Sequence, residues 1–297
     1  MMPTVRLKAC ALLLVAGFAA GCSADAPLET ALAPAEPRDD SVRQAGFPDP
    51  ERAIAPDALR HAVASLRGIL RAEPSNDDAQ LKLGEVYLRL NEPSEAMKHF
   101  TAALTSSDHE AAAKQGLGLS FLRLGDRDSA RRYLGEAVAA DPALWRAQLG
   151  LGQIADHDRD WTAAETAYRA ALNPRPHAAA HNNLGLSYTR QRRYGEAIAQ
   201  FQASLALKPE ATVRTNLRFA YAMKGDYLNA LAGVAKENLA DALNNVGYAA
   251  MLRGDYDAAE AYLTRAIESS AEHHRIASDN LQLLKDLRRT KIARATP

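Results

Sequence analysis

The chain has little of what most chemistry and most stapled folds require. It holds two cysteines and two tryptophans among 297 residues, and its 36 basic residues are matched by 36 acidic ones. Two cysteines cannot build the disulfide framework of a small secreted domain. A neutral balance leaves no charge surplus to neutralise a phosphate backbone, which argues against nucleic acid as a partner. The longest leading apolar run, residues 9–20, is shorter than the roughly 20 residues a helix needs to cross a bilayer.

Apparent catalytic and metal motifs fail on their context. Gly150, Gly152 and Ala155 fit a dinucleotide-loop spacing, but no strand-like segment precedes them. Asp156, Asp158 and Asp160 imitate the start of a calcium loop; Trp161 stands where its glycine belongs and Ala167 where its glutamate belongs, so a solvated turn is expected. His273 and His274 adjoin Glu272 without further spaced ligands, and Ser120 and Ser187 lack the strained elbow of a nucleophile. The expectation is a non-enzyme with no cofactor and no metal.

What the chain has is repetition. Gly84, Gly118, Gly152 and Gly185 recur every 33 or 34 residues inside one apolar pattern. With Asp77 as position 1 of a unit, Leu83, Gly84 and Tyr87 fall at 7, 8 and 11, and Ala96, Phe100 and Ala103 at 20, 24 and 27. Units from Ala111, Trp145, Ala178 and Ala240 keep this phase, and Pro142, Pro176 and Pro209 stand at position 32. Positions 4, 7, 8 and 11 make one helical stripe and 20, 24 and 27 a second, so each unit is a pair of amphipathic helices. Small residues at 8, 20 and 27 permit close approach, and proline at 32 ends the second helix. A fixed period of this length marks a solenoid whose units bury their apolar faces only by stacking.

This pattern resembles the tetratricopeptide repeat (TPR) over residues 56–290. The resemblance implies an all-α fold, a right-handed superhelical solenoid of antiparallel helix pairs closed by a C-terminal capping helix. Residues 56–76 read as an N-terminal half-repeat, 77–210 as four regular units, 211–239 as a degenerate short repeat with Arg218 in place of the small residue, 240–273 as a further unit, and 274–297 as capping helix and tail. Lys285, Arg288, Arg289 and Lys291 could form an anion-binding patch or simply complement the dipole of the capping helix.

The N-terminus carries a different message. Arg6 and Lys8 precede the apolar run, which ends Ala19-Ala20-Gly21-Cys22 and resembles a bacterial lipobox. Residues 1–21 then read as a lipoprotein signal peptide, Cys22 as the lipid-attachment residue, and the proline- and alanine-rich residues 22–55 as a tether unable to bury a core. An ordinary secretory signal with a chance cysteine is the alternative. Ser23 after the cysteine, rather than aspartate, implies the periplasmic face of the outer membrane, where the source has one.

In proteins with this repeat, positions 2, 5, 6, 9, 12 and 13 of the first helix line a groove. Position 6 is Asn183, Asn216 and Asn245, preceded by Asn182 and Asn244 in two units, and position 9 is Leu186, Phe219 and Tyr248. Amides that donate and accept at once suit the backbone of an extended peptide, and they suit equally a bond to a neighbouring helix. Leu81, Leu88, Leu119, Leu122 and Leu149 are expected to make the upstream groove apolar enough for an amphipathic helix.

Lipobox, tether, repeats and the segments Asn182-Asn183-Leu184-Gly185 and Asn244-Asn245-Val246-Gly247 together resemble the TadD family of Flp (tight-adherence) pilus assembly lipoproteins. That resemblance implies a non-catalytic, pilotin-like helper of the outer-membrane secretin. An envelope scaffold for peptidoglycan-modifying enzymes and an accessory subunit of an envelope enzyme are the alternatives. Mass spectrometry of membrane-extracted protein is expected to show an acylated Cys22 at the N-terminus, and Cys22→Ser to leave soluble or unprocessed chain; an unmodified N-terminus elsewhere in the first 30 residues would contradict this.

Overall fold

The computed structural model describes residues 56–295 apart from 106, 174 and 271–273, with side chains described as far as Arg289. Cys22 and the tether lie outside the described residues. The described chain is helical throughout, in fourteen helices: α1 (Pro56–Ala72), α2 (Asp77–Arg89), α3 (Pro93–Ala102), α4 (Glu110–Leu124), α5 (Arg127–Ala140), α6 (Trp145–His157), α7 (Trp161–Ala171), α8 (Ala178–Arg190), α9 (Tyr194–Leu207), α10 (Ala211–Lys224), α11 (Tyr227–Leu231), α12 (Leu239–Arg253), α13 (Tyr256–Glu268) and α14 (Arg275–Ala295). Consecutive helices pair, giving the TPR solenoid.

The turns show why the pairs fold locally. Gly125, Gly225 and Gly254 end α4, α10 and α12 in the left-handed conformation, and the aspartate that follows each caps the next helix. Asp126 accepts from the Ser129 amide at 3.0 Å and Asp255 from Ala258 at 3.4 Å. The same left-handed site holds Asn91, Arg159 and Arg192 in the other three turns. Asparagine tolerates it; arginine does so at a cost of roughly 1–2 kcal/mol.

Within a unit the glycine at position 8 sets the helix separation. A methyl group on Gly84 would lie 2.6 Å from the Phe100 ring, on Gly152 2.5 Å from Tyr168, and on Gly185 2.7 Å from Phe201. Leu134 and Leu263 crowd Gly118 and Gly247 in the same way. Between units, positions 3 and 10 are buried in four of the first helices, as in Ala113 and Ser120, Ala147 and Ile154, Ala180 and Ser187, and Val213 and Ala220. Glycines at position 6 serve this seam too, since Gly116 faces Phe100 and Gly150 faces Leu134 of the preceding unit.

Two irregular regions differ from this pattern. The second helix of the short repeat, α11, has only five residues and is followed by the turn Lys236–Asn238, and Leu228 on it is 85% exposed. The terminal helix α14 fits as the first helix of another unit starting at Arg275, because Ala277 and Leu284 occupy positions 3 and 10 and are buried. Its positions 8 and 11, where a second helix would pack, are Gln282 and Lys285, both exposed. That polarity is what a solenoid cap requires. Of its basic residues, Arg288 pairs with Glu260 at 2.8 Å and Asp257 at 2.7 Å, and Arg289 with Asp286 at 3.5 Å, so these two arginines are engaged by carboxylates.

Gly152→Ala should cost about 1–3 kcal/mol by overpacking against Tyr168, while Gly135→Ala, with nothing within 4 Å of the added carbon, should be neutral or stabilising. Urea denaturation of the two variants checks the contrast; equal effects would refute close approach as the reason for the glycine.

Candidate protein-binding groove

The asparagines are organised differently from a single ladder. Asn216 Nδ2 on α10 donates to Asn182 Oδ1 on α8 at 3.1 Å, and Asn182 Nδ2 donates to Asn183 Oδ1 at 3.4 Å. Asn280 Nδ2 on α14 donates to Asn244 Oδ1 on α12 at 2.9 Å, and Asn244 Nδ2 to Asn245 Oδ1 at 3.4 Å. Each triad runs from the next unit through position 5 into position 6. Among the described residues no hydrogen bond joins Asn216 to Asn245, so the array holds two triads, one ending on the first helix of the short repeat and the other beginning after it.

The triads end differently. Asn183 is 5% exposed and its Nδ2 has no hydrogen-bond partner, whereas Asn245 is exposed at the end of the second triad. A buried donor without an acceptor costs about 1–3 kcal/mol unless something supplies one. Asn182 and Asn244 are buried at 7% each, which makes them clasps between units as well as members of the site. Asn280 was not among the sequence-derived candidates; the pair Asn280-Leu281 repeats Asn183-Leu184, Asn216-Leu217 and Asn245-Val246 at positions 6 and 7, and that phase could have found it.

The position-9 residues are all partly buried, but in three separate clusters. Leu186 packs against the cluster that holds Tyr168 and Phe201, Phe219 against the one that holds Ala222 and Val246, and Tyr248 against the one that holds Leu263 and Leu284, where burial pushes the Tyr248 hydroxyl up from its ordinary value. Upstream the expected leucine stripe is thinner than the spacing suggests. Leu88, Leu119 and Leu149 are each 1% exposed and belong to the core, leaving Leu81 and Leu122 partly exposed. Around them the surface is charged: Arg146 on α6 reaches across a whole unit to Glu85 on α2 at 2.8 Å.

A second correction concerns Asp156. It lies inside α6, 5% exposed, and accepts from Ser187 Oγ at 2.6 Å, Tyr168 Oη at 3.0 Å and Arg190 Nη1 at 3.0 Å. Burial, with the Asp156 carboxylate beside it, pushes the Tyr168 hydroxyl well above its ordinary range. The expected solvated turn is instead a buried node joining α6, α7 and α8. Only Asp158 and Asp160 lie at the turn, and Asp160 caps α7 through the Ala163 amide at 3.0 Å. Arginines near the ends of other first helices act similarly, Arg123 donating to the Leu88 carbonyl and Arg253 to that of Met223, each the carbonyl of the preceding unit. Among the described residues no group of His, Cys, Asp and Glu could hold a metal ion, and no helix is long and apolar enough to cross a membrane.

Tyr168→Ala should cost ~3–5 kcal/mol, because it deletes a buried ring and a hydrogen bond to a buried carboxylate. Asn216→Ala should cost about 1 kcal/mol and Asn245→Ala less than about 0.5 kcal/mol. Thermal melts that place Asn216→Ala and Tyr168→Ala together would make Asn216 a packing residue and nothing more.

Comparison with known proteins agrees with this architecture. The tetratricopeptide repeat family profile matches residues 59–113, 116–179 and 159–212, and a second tetratricopeptide profile matches 240–273. The BBSome complex member BBS4 of Bos taurus is 26% identical over 128 residues, 42% of this chain and 24% of that one, so the chain spans about a quarter of this curated relative. The solved APC/C Cut9–Hcn1 hetero-tetramer matches at 22% identity and a TM-score of 0.56 over 76% of this chain and 46% of that one. PilF of Pseudomonas aeruginosa matches at 19% identity and a TM-score of 0.52, covering 71% of this chain and 96% of that one. At these identities the solved structures establish the fold, and the matched profiles establish that this chain belongs to the tetratricopeptide repeat family.

Proposed function

We propose that this tetratricopeptide scaffold is an outer-membrane lipoprotein, anchored through Cys22, that holds a protein segment in its first-helix groove as a pilotin-like assembly factor for the secretin of a Flp/Tad pilus or related secretion system. The repeat fold is one typically used as a non-catalytic scaffold for protein–protein interaction. The observation that carries the reading is the row of first-helix residues left open beside the two asparagine triads, with Asn245 exposed and Asn216, Leu186, Phe219 and Tyr248 partly exposed. A side-chain amide donates and accepts at once, which suits the backbone of an extended segment whatever its sequence. Leu186 and Phe219 on the neighbouring helices offer apolar contact for alternate side chains.

The anchor and the groove cooperate. Residues 22–55 as a semi-extended tether reach on the order of 100 Å, and tethering raises the effective concentration of a held partner at the membrane. An envelope scaffold docking peptidoglycan-modifying enzymes uses the same groove, and the experiment separates the two. Deleting the gene should lower secretin multimer abundance in outer-membrane fractions, and Cys22→Ser and the triple Asn183, Asn216, Asn245→Ala variant should each reproduce part of that loss. Unchanged multimers together with normal pili would overturn the secretin reading and favour the cell-wall one.

A further inference from the structure

Away from the first-helix groove, α7 and the turn between α8 and α9 enclose an open hollow of about 310 Å³ lined by Trp161, Thr162, Glu165, Thr166, Arg169, Gln191 and Arg193. This is at the lower end of the ~300–1,000 Å³ typical of small-ligand sites. Its charged groups are fixed in place. Glu165 Oε1 accepts from Arg169 Nη2 at 2.9 Å and from Tyr188 Oη at 2.9 Å, and its Oε2 accepts from Arg193 Nη1 at 2.9 Å. The Arg193 guanidinium also lies over the Tyr188 ring, 4.2 Å from its centroid, and takes Gln191 Oε1 at 3.2 Å.

The turns that deliver these residues are the two that place arginine in the left-handed conformation. Arg159, with φ 61°, precedes Trp161 by two residues, and Arg192, also at 61°, stands between Gln191 and Arg193. In the four other inter-helix turns this site is glycine or asparagine.

We propose that this hollow is a saccharide-binding site, separate from the protein-binding groove and independent of what that groove holds. An indole face packs against the CH face of a sugar ring, while the Thr162 and Thr166 hydroxyls and the second N–H of the Gln191 amide, whose first goes to Ser187 Oγ at 3.1 Å, meet the ring hydroxyls. A phosphate or an acidic peptide is a poorer fit. Arg169 and Arg193 are both engaged by Glu165 and Arg193 also by Glu196, so two carboxylates balance the two guanidiniums and a dianion would have to displace one of them.

The test is titration of the full mature chain with cello-, chito- and malto-oligosaccharides and with inorganic phosphate, followed by intrinsic tryptophan fluorescence and by ligand-observed NMR. Saturable binding of one oligosaccharide series is expected, weakened about tenfold by Trp161→Ala and by Gln191→Ala. Thr162→Val, a smaller change at an exposed position, should weaken it less, and Lys98→Ala on the exposed face of α3 should leave it unchanged. Circular dichroism verifies that each variant is folded. No saturable response to any sugar, a response to phosphate alone, or binding equal in Trp161→Ala would overturn the proposal.

Discussion

Everything in this molecule depends on how closely two helices of one unit can approach. Glycine at position 8 removes the side chain that would keep the second helix away, and the ring or leucine at position 24 then lies against the bare backbone of the first. Phe100, Leu134, Tyr168, Phe201 and Leu263 are each at most 1% exposed as a result. The unit so formed is flat enough for the next to stack on it, and stacking is what buries the remaining apolar surface. Where the rule weakens, in the unit with Arg218 at position 8, the second helix shrinks to five residues and leaves Leu228 85% exposed.

Stacking is then fixed by polar clasps. Asn182 and Asn244 take a donor from the following unit, Gln115 accepts from the Ala147 amide at 3.1 Å, and Arg123 and Arg253 reach back to carbonyls of the preceding unit. Asp156 on α6 does the same with charge, gathering Tyr168 from α7 and Ser187 and Arg190 from α8. Such bonds are directional, and Asn182, Asn244, Gln115 and Asp156 are themselves buried, so they define register between units in a way that apolar contact alone does not. A partner in the groove would meet a surface already ordered, which lowers the entropic cost of holding it.

The repeat phase made the fold legible because packing glycines and second-helix rings recur at fixed positions irrespective of their neighbours. The inter-unit seam was harder to read. Positions 3 and 10 carry Ala147, Ile154, Ser187 or Val213 with no one residue type to mark them, and their partners lie a whole unit away. Asp156 illustrates the same limit: beside Asp158 and Asp160 it looked like part of a turn, and only the register of α8 brings Ser187 and Arg190 onto it. In the groove, the position-6 asparagines were found by phase, but their division into two triads depends on Asn280, which lies in what read only as a capping helix. Leu88, Leu119 and Leu149 share spacing with groove residues, yet helix rotation turns them into the core.

The central claim is that the first-helix groove, and within it the asparagine triads, holds a protein segment in the envelope. Site-specific photo-crosslinking in cells tests it most directly, with the probe placed at Leu186 or Phe219 and, as a control, at exposed Lys98 on a second helix. The account predicts a discrete adduct of one mass from both groove positions, none from Lys98, and its loss when Asn183, Asn216 and Asn245 are replaced by alanine in a chain that still folds. Adducts of the same kind from Lys98, or groove adducts that survive the triple replacement, would contradict it.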